Sequence, residues 1–284
     1  MLSDYYELGK PRIVFLLLIT TAAAMAMAAR GVPPLGLTFW TLLAGGLAAL
    51  SAGAFNCVID RDIDRLMRRT MNRPVAARRM SVSAALTFAT ITGLSSFWLF
   101  FTLVNPLSAW LSLSGEIYYV VIYTIWLKRT TPLNIVIGGA AGAVPPLVGW
   151  SAVTGTLGMP ALGLFLLIFL WTPPHFWSLA LMTDVDYEKA GIPMLPAVAG
   201  IARTKNEIFM YSLILVGASL LLAVFHVMGA LYAAGAAVLD AVFIVDAARL
   251  FRDQTKKTPR ALFKYSLLYL ALLCAVMVAD RIIS

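Results

Sequence analysis

Nine runs of mostly apolar residues divide this chain, at roughly 13–29, 35–58, 82–104, 107–127, 134–152, 160–182, 208–228, 230–250 and 261–279. A helix needs about 20 such residues to cross a bilayer, and in lipid its backbone must satisfy its own hydrogen bonds. The pattern predicts an all-α, polytopic membrane protein, a bundle of nine transmembrane helices. Of the 284 residues, 61% are hydrophobic and 13% charged, which excludes a soluble globule and a disordered chain alike. Tight turns are expected at Asn105-Pro106, in the Gly/Pro-rich stretch 155–160 and near Gly229. Residues 1–284 read as one intramembrane domain.

Nine crossings place the amino terminus and four inter-helix loops on one side. All but two of the 22 basic residues fall there, and only Arg30 and Arg281 lie opposite. By the positive-inside rule the amino terminus and these loops are cytoplasmic and the carboxyl terminus is external. The opening residues, MLSDYYELGKPR, look like neither a secretory signal nor an Arg-rich transit peptide, so a prokaryotic cell (inner) membrane is expected. The net charge of +8 then reflects topology first and an anionic ligand second, with no nucleic-acid partner. Cys57 and Cys274 match no metal spacing.

The loop after the second span reads NCVIDRDIDRLMRRTMNRPVAARR. Asn56, Asp60 and Asp64 are spaced by four, so a continuing helix places them on one face, with Asp62 pointing elsewhere. Two carboxylates on one face suit a hard divalent cation, and Mg2+ commonly completes its shell with water and substrate phosphate. Arg61, Arg65, Arg68, Arg69 and Arg73 crowd the same loop. Acid and base together describe a site for Mg2+ and a polyphosphate; the alternative is an ordinary positive-inside loop whose acids pair with its arginines. A second acidic stretch, MTDVDYEKAGIPMLP, follows the sixth span on the same side, with Asp184 and Glu188 four apart and Asp186 between. It offers a second metal site or an ordinary charged helix end. Lys128 and Arg129 close the fourth span nearby.

The run from Asn56 through Asp60, Asp64, Arg69 and Thr70 to Arg73 resembles the signature of the intramembrane prenyltransferases, the UbiA superfamily. The segments YTIWLKRTTPLNIVIGGAAGAVPPLVGW (123–150), PHFWSLAL (174–181) and DYEKAGIPMLP (186–196) resemble its heme-farnesylating branch. The likeness spreads over nearly the whole chain. It implies farnesyl diphosphate and heme b as substrates, heme being substrate rather than fixed cofactor. It also implies Mg2+ as cofactor, the lipid bilayer as surroundings and a downstream heme A synthase as partner. By the same resemblance Asp60, Asp64, Asp184 and Asp186 hold metal, and Asp60, Asp64 and Asp186 are catalytic. Asn56, Arg69, Arg73, Lys128, Arg129, Tyr187 and Lys189 bind substrate. Val185 stands where the branch leads one to expect another acid.

Deeper residues keep more than one reading. His175, seven residues before the end of the sixth span, lies roughly 10 Å below the acidic loops. It can ligate heme iron, handle a proton, or pack against a backbone carbonyl. Pro173-Pro174 and Pro145-Pro146 are expected to break their helices and line a cavity. Tyr118, Tyr119 and Tyr123 offer aromatic faces to a carbocation or porphyrin, or anchor the interface. Asn134 orients the diphosphate or caps its helix. Glu116 and Asp240 lie near mid-membrane, where ionisable groups are costly, with open roles. The alternatives are a sibling prenyltransferase with a quinone-precursor or chlorophyllide acceptor, and a transporter. The concentration of acids among arginines at one mouth disfavours the transporter.

Overall fold

The computed structural model describes residues 2–252 and 255–283, the side chains of Leu2 and Asp184 excepted. Its long helices are α1 (Pro11–Ala29), α2 (Leu35–Ile59), α3 (Val82–Leu99), α4 (Pro106–Ile117), α5 (Asn134–Thr154), α6 (Met159–Met182), α7 (Leu195–Val224), α8 (Ala230–Arg249) and α9 (Lys257–Ile283). Two widen into π-helix, α3 over Phe100–Val104 and α4 over Tyr118–Leu127. Among the described residues eight helices are long and apolar enough to cross a membrane, with α3 counted through Val104. The ninth expected crossing is occupied by α4 and its π-helical continuation, where Glu116 and three tyrosines dilute the apolar run. The chain is a multi-span membrane protein.

Local sequence explains the boundaries. Asn105 accepts a hydrogen bond from Ser108 N–H at 2.9 Å and Pro106 follows at the first helical position, so α4 starts there. Gly155 ends α5 with φ +68°, a left-handed cap that a side chain would strain. α7 starts well before the expected residue 208, because its first turns carry Arg203, Lys205 and Glu207 and hydropathy misses them. A kink at Gly200, with φ 79° and ψ 167°, separates this polar lead-in. The turn to α8 comes at 225–229, where His226 has φ 54°.

Each helix packs on its sequence neighbours, and α1 packs against α2, α5 and α9, closing the ring. α5 and α6 are the most enclosed. The expectation of broken helices fails here: both α5 and α6 run continuously through their paired prolines. Each proline removes one N–H donor, but close packing on the neighbouring helices holds the backbone helical on both sides. Polar ties also join the helices away from the acidic loops. Glu116 on α4 meets Ser51 on α2, and Tyr269 on α9 donates to Asp240 on α8 at 2.7 Å.

The α1–α5 contact depends on Gly149, where a Cβ would overlap the carbonyl oxygen of Thr21. Gly149→Ala should therefore cost about 1–3 kcal/mol of overpacking. Gly142→Ala, with no atom within 4 Å of the added carbon, should be neutral or slightly stabilising. Thermal unfolding of both variants in detergent checks this. Equal melting temperatures would show that the helices part freely at Gly149.

Candidate active site

α2 ends at Ile59 and Asp60 takes its C-cap position, so the helix does not continue unbroken. Its hydrogen-bond register does continue, through the single turn Arg61–Asp64. Asp60 N–H donates to Asn56 C=O at 2.9 Å and Asp64 N–H to Asp60 C=O at 2.8 Å. Asn56, Asp60 and Asp64 are all buried, with exposures of 3%, 0% and 1%. Carboxylates leave water only against cations or N–H donors. Lys128 Nζ donates to Asp60 Oδ2, and Arg73 Nη1 bonds both oxygens of Asp64, at 2.9 and 2.8 Å. Asn56 Nδ2 donates to Asp60 Oδ2 at 2.7 Å and to Thr124 Oγ1 at 3.1 Å. Its Oδ1 accepts from Lys10.

The π-helix brings in two of these partners. Thr124 Oγ1 donates to Tyr119 C=O, five residues back, at 2.9 Å, and its oxygen meets Asn56. Lys128 follows one turn later. Lys10 lies at the start of α1 with φ 54°, and burial, with Arg73 adding repulsion, pushes its ammonium down to about 8. Asp62 points outward, as its spacing predicts. It forms a two-pronged ion pair with Arg129, both bonds 2.7 Å, and these hold its carboxyl at about 2.

Asp60 Oδ1 is the exception: it is buried and accepts no hydrogen bond among the described residues. Arg129 Nη2 stands 3.9 Å from it. A free carboxylate oxygen next to a second buried carboxylate fits the hard-oxygen preference of Mg2+. Among the described residues no group of three or more His, Cys, Asp and Glu side chains could hold a metal. A cation held here therefore draws the rest of its shell from water and a bound phosphate.

The second acidic stretch meets the first through apolar side chains. Tyr187, Ile192 and Met194 form one buried cluster with Ile63 and Met67, and Tyr123 and Phe176 pack against it. Asp186 is half-buried on the short helix Asp184–Lys189, and the side chain of Asp184 lies outside the described residues. Val185, Lys189 and Arg69 are exposed. Tyr123 stacks on Tyr119 with centroids 5.4 Å apart, in space that Gly138 leaves open. Tyr118 instead donates to Ile137 C=O at 3.0 Å. Asn134 is buried, its Nδ2 bonded to Thr131 C=O at 2.6 Å and its Oδ1 without a partner among the described residues.

His175 is buried between Trp171 and Phe263, with centroids 4.2 and 4.6 Å away, and Phe176 stands edge-on to it. Its Nδ1 meets the Ser266 hydroxyl at 2.7 Å rather than a backbone carbonyl. Lys10, Thr124 and Ser266 escape sequence reasoning as site residues. Lys10 reads as orientation charge, Thr124 lies inside an apolar run, and Ser266 is 91 residues from its histidine.

The UbiA prenyltransferase family model matches residues 17–273. The chain belongs to this family. Relatives named protoheme IX farnesyltransferase include one from Gloeobacter violaceus, 54% identical over 99% of this chain and 92% of its own. One from Nostoc sp. is 52% identical over 99% of this chain and 89% of its own. Against a third, from Chloroflexus aurantiacus, the chain is 49% identical but spans 48% of that protein's length. The fold is similar to a solved structure of digeranylgeranylglyceryl phosphate synthase, with TM-score 0.82, 18% identity, and 100% and 99% of the two chains covered. It is also similar to a UbiA homolog from Archaeoglobus fulgidus bound to DMAPP and Mg2+, with TM-score 0.70, 19% identity and coverage of 96% and 99%. This UbiA chain is thus a membrane prenyltransferase.

Removing the outward ion pair should matter little for this UbiA protein. An exposed pair such as Asp62–Arg129 contributes about 0–1 kcal/mol. The folded-state carboxyl is depressed from 3.8 to about 2, so its contribution is present above about pH 4 and lost as pH falls through about 2. Melting curves of wild type and Asp62→Asn should differ by a few degrees at most from pH 7 to 4 and converge towards pH 2. A gap that widens on acidification would contradict this.

Proposed function

We propose that this chain transfers the farnesyl group of farnesyl diphosphate to a vinyl group of heme b, giving heme O and diphosphate. The buried Asp60–Asp64 pair, with one carboxylate oxygen left free among cations, is the observation that carries the diphosphate half. The heme half is supported by half-identical relatives bearing that activity's name across nearly their full length.

Asp60 and Asp64 hold Mg2+ in this reading, with Asp184 and Asp186 as a second carboxylate pair. The ion supplies Lewis-acid neutralisation of the leaving diphosphate. Lys128 and Arg73 hold the carboxylates in place, and turn to phosphate oxygens once the anion arrives. Arg69, Arg129 and Lys189 add positive charge around it, and Asn56 and Asn134 orient it. The allylic C–O bond then breaks and its electron pair leaves with diphosphate, a step favoured by preorganised cations. The stacked Tyr123 and Tyr119, with Tyr187 beside them, line the path of the farnesyl cation. The vinyl electron pair forms the new C–C bond, water adds to the resulting cation, and one proton is released. The reading places this mouth, with the amino terminus, on the cytoplasmic side of a prokaryotic cell (inner) membrane. A heme A synthase is the downstream partner.

Purified protein given labelled farnesyl diphosphate and hemin should yield a heme heavier by one farnesyl group and one hydroxyl. Label appearing instead on a quinone precursor or chlorophyllide would overturn the acceptor and keep the site. Asp60→Asn and Asp64→Asn should each cut turnover by about 100-fold or more while the protein remains folded. Asp62→Asn should stay within roughly threefold, since its partner is the exposed Arg129 and loss of an exposed pair is small. Full activity in Asp60→Asn would refute the assignment.

A further inference from the structure

Ser266 has one hydroxyl proton, and a backbone carbonyl, which can only accept, stands within its reach. Ser266 Oγ donates to the Phe263 carbonyl at 2.7 Å, one turn back on α9. The contact between Ser266 Oγ and His175 Nδ1, also 2.7 Å, must then take its proton from the ring. His175 is thus the Nδ1–H tautomer, and Nε2 carries the lone pair. Trp171 and Phe263 lie nearly parallel to the imidazole on either side, at 19° and 24°, so its faces are covered. Trp171 is itself fastened to the same residue, its Nε1 donating to Ser266 C=O at 2.8 Å. Only the Nε2 edge remains for a ligand. Nε2 has no partner among the described residues, yet it is not among the sealed, unpartnered atoms, and His175 retains 8% of its surface.

We infer that Ser266 is a positioning residue that fixes the His175 tautomer, so that Nε2 ligates the iron of a heme acceptor. This inference rests on the heme reading above. A ligating imidazole commonly donates its other N–H to a fixed acceptor, which sets both its orientation and its basicity. A ring clamped on both faces can meet a porphyrin only edge-on, which is how an axial imidazole approaches iron. Phe176, edge-on to His175 at 5.5 Å, also packs against the cluster beneath the two acidic loops. The ligand would therefore seat the porphyrin just below the diphosphate mouth.

The test titrates full-length protein in detergent with ferric heme, and in parallel with metal-free protoporphyrin IX. Wild type should show the absorption shift of nitrogen ligation with ferric heme. His175→Gly should lose that shift and regain it on adding imidazole, while binding metal-free porphyrin as wild type does. Ser266→Ala should weaken ferric heme binding on the order of 10-fold, as loss of a ligand's supporting hydrogen bond does, and leave metal-free porphyrin binding unchanged. Ser266→Thr, which keeps the hydroxyl, should restore the spectrum and serves if Ser266→Ala does not fold. Equal heme spectra in wild type and His175→Gly would overturn the inference. So would equal losses of iron-bearing and metal-free porphyrin in the serine variant, which mark simple packing. Farnesyl transfer to hemin by wild type, measured alongside, separates the two claims. Product with unshifted spectra refutes only the ligation, and ligation without product refutes only the reaction.

Discussion

Two carboxylates almost without solvent contact, Asp60 and Asp64, set the conditions for one whole end of this bundle. A buried charge without a partner costs several kcal/mol, so the chain must deliver cations to it from wherever the sequence permits. Lys128 comes from 68 residues away and Arg73 from nine. Lys10 joins through Asn56, 46 residues away, and its burial there pushes its ammonium down to about 8. The start of α1, the end of α2, the π-helix after α4 and the loop beyond Asp64 are therefore fastened to one another by charge.

That fastening explains the π-helix in physical terms. A widened turn is poorer helix, and long stretches of it persist where they serve a site. Here ten residues adopt it, and its end places Thr124 against Asn56 and Lys128 against Asp60. The same widening lets Tyr123 lie over Gly138 and stack on Tyr119. Groups that hold the buried carboxylates are the ones a diphosphate would recruit, so stability and binding draw on the same side chains.

Much of this was legible beforehand, and the remainder was hidden for identifiable reasons. Hydropathy places the crossings because lipid enforces a length and a composition, and the i, i+4 register of Asn56, Asp60 and Asp64 survives although α2 stops at Ile59. Local rules misjudge Pro145-Pro146 and Pro173-Pro174, since they price the lost backbone bonds and not the tight packing around α5 and α6. They miss the early start of α7, whose first turns are polar. Pairings such as Lys10–Asn56 and Ser266–His175 leave no local trace, because spacing carries information only along one element.

The apolar cluster between the two acidic loops bears on why such a site sits at a membrane surface. Ile63, Met67, Tyr187, Ile192 and Met194 are buried among themselves at the mouth, directly beside the charged groups. An allylic cation formed in open water would be captured before it met an acceptor, so the site must exclude water where ionisation occurs. The proposed reaction nevertheless needs one water at the end, on the acceptor side. The two demands are compatible only if the seal and the acceptor are spatially distinct. Phe176 fits that division: it packs on the sealing cluster, and the next residue back, His175, belongs to the α6–α9 clasp. In the proposed reaction the carboxylates and arginines would govern departure of diphosphate, and the α6–α9 contact would set where the acceptor waits.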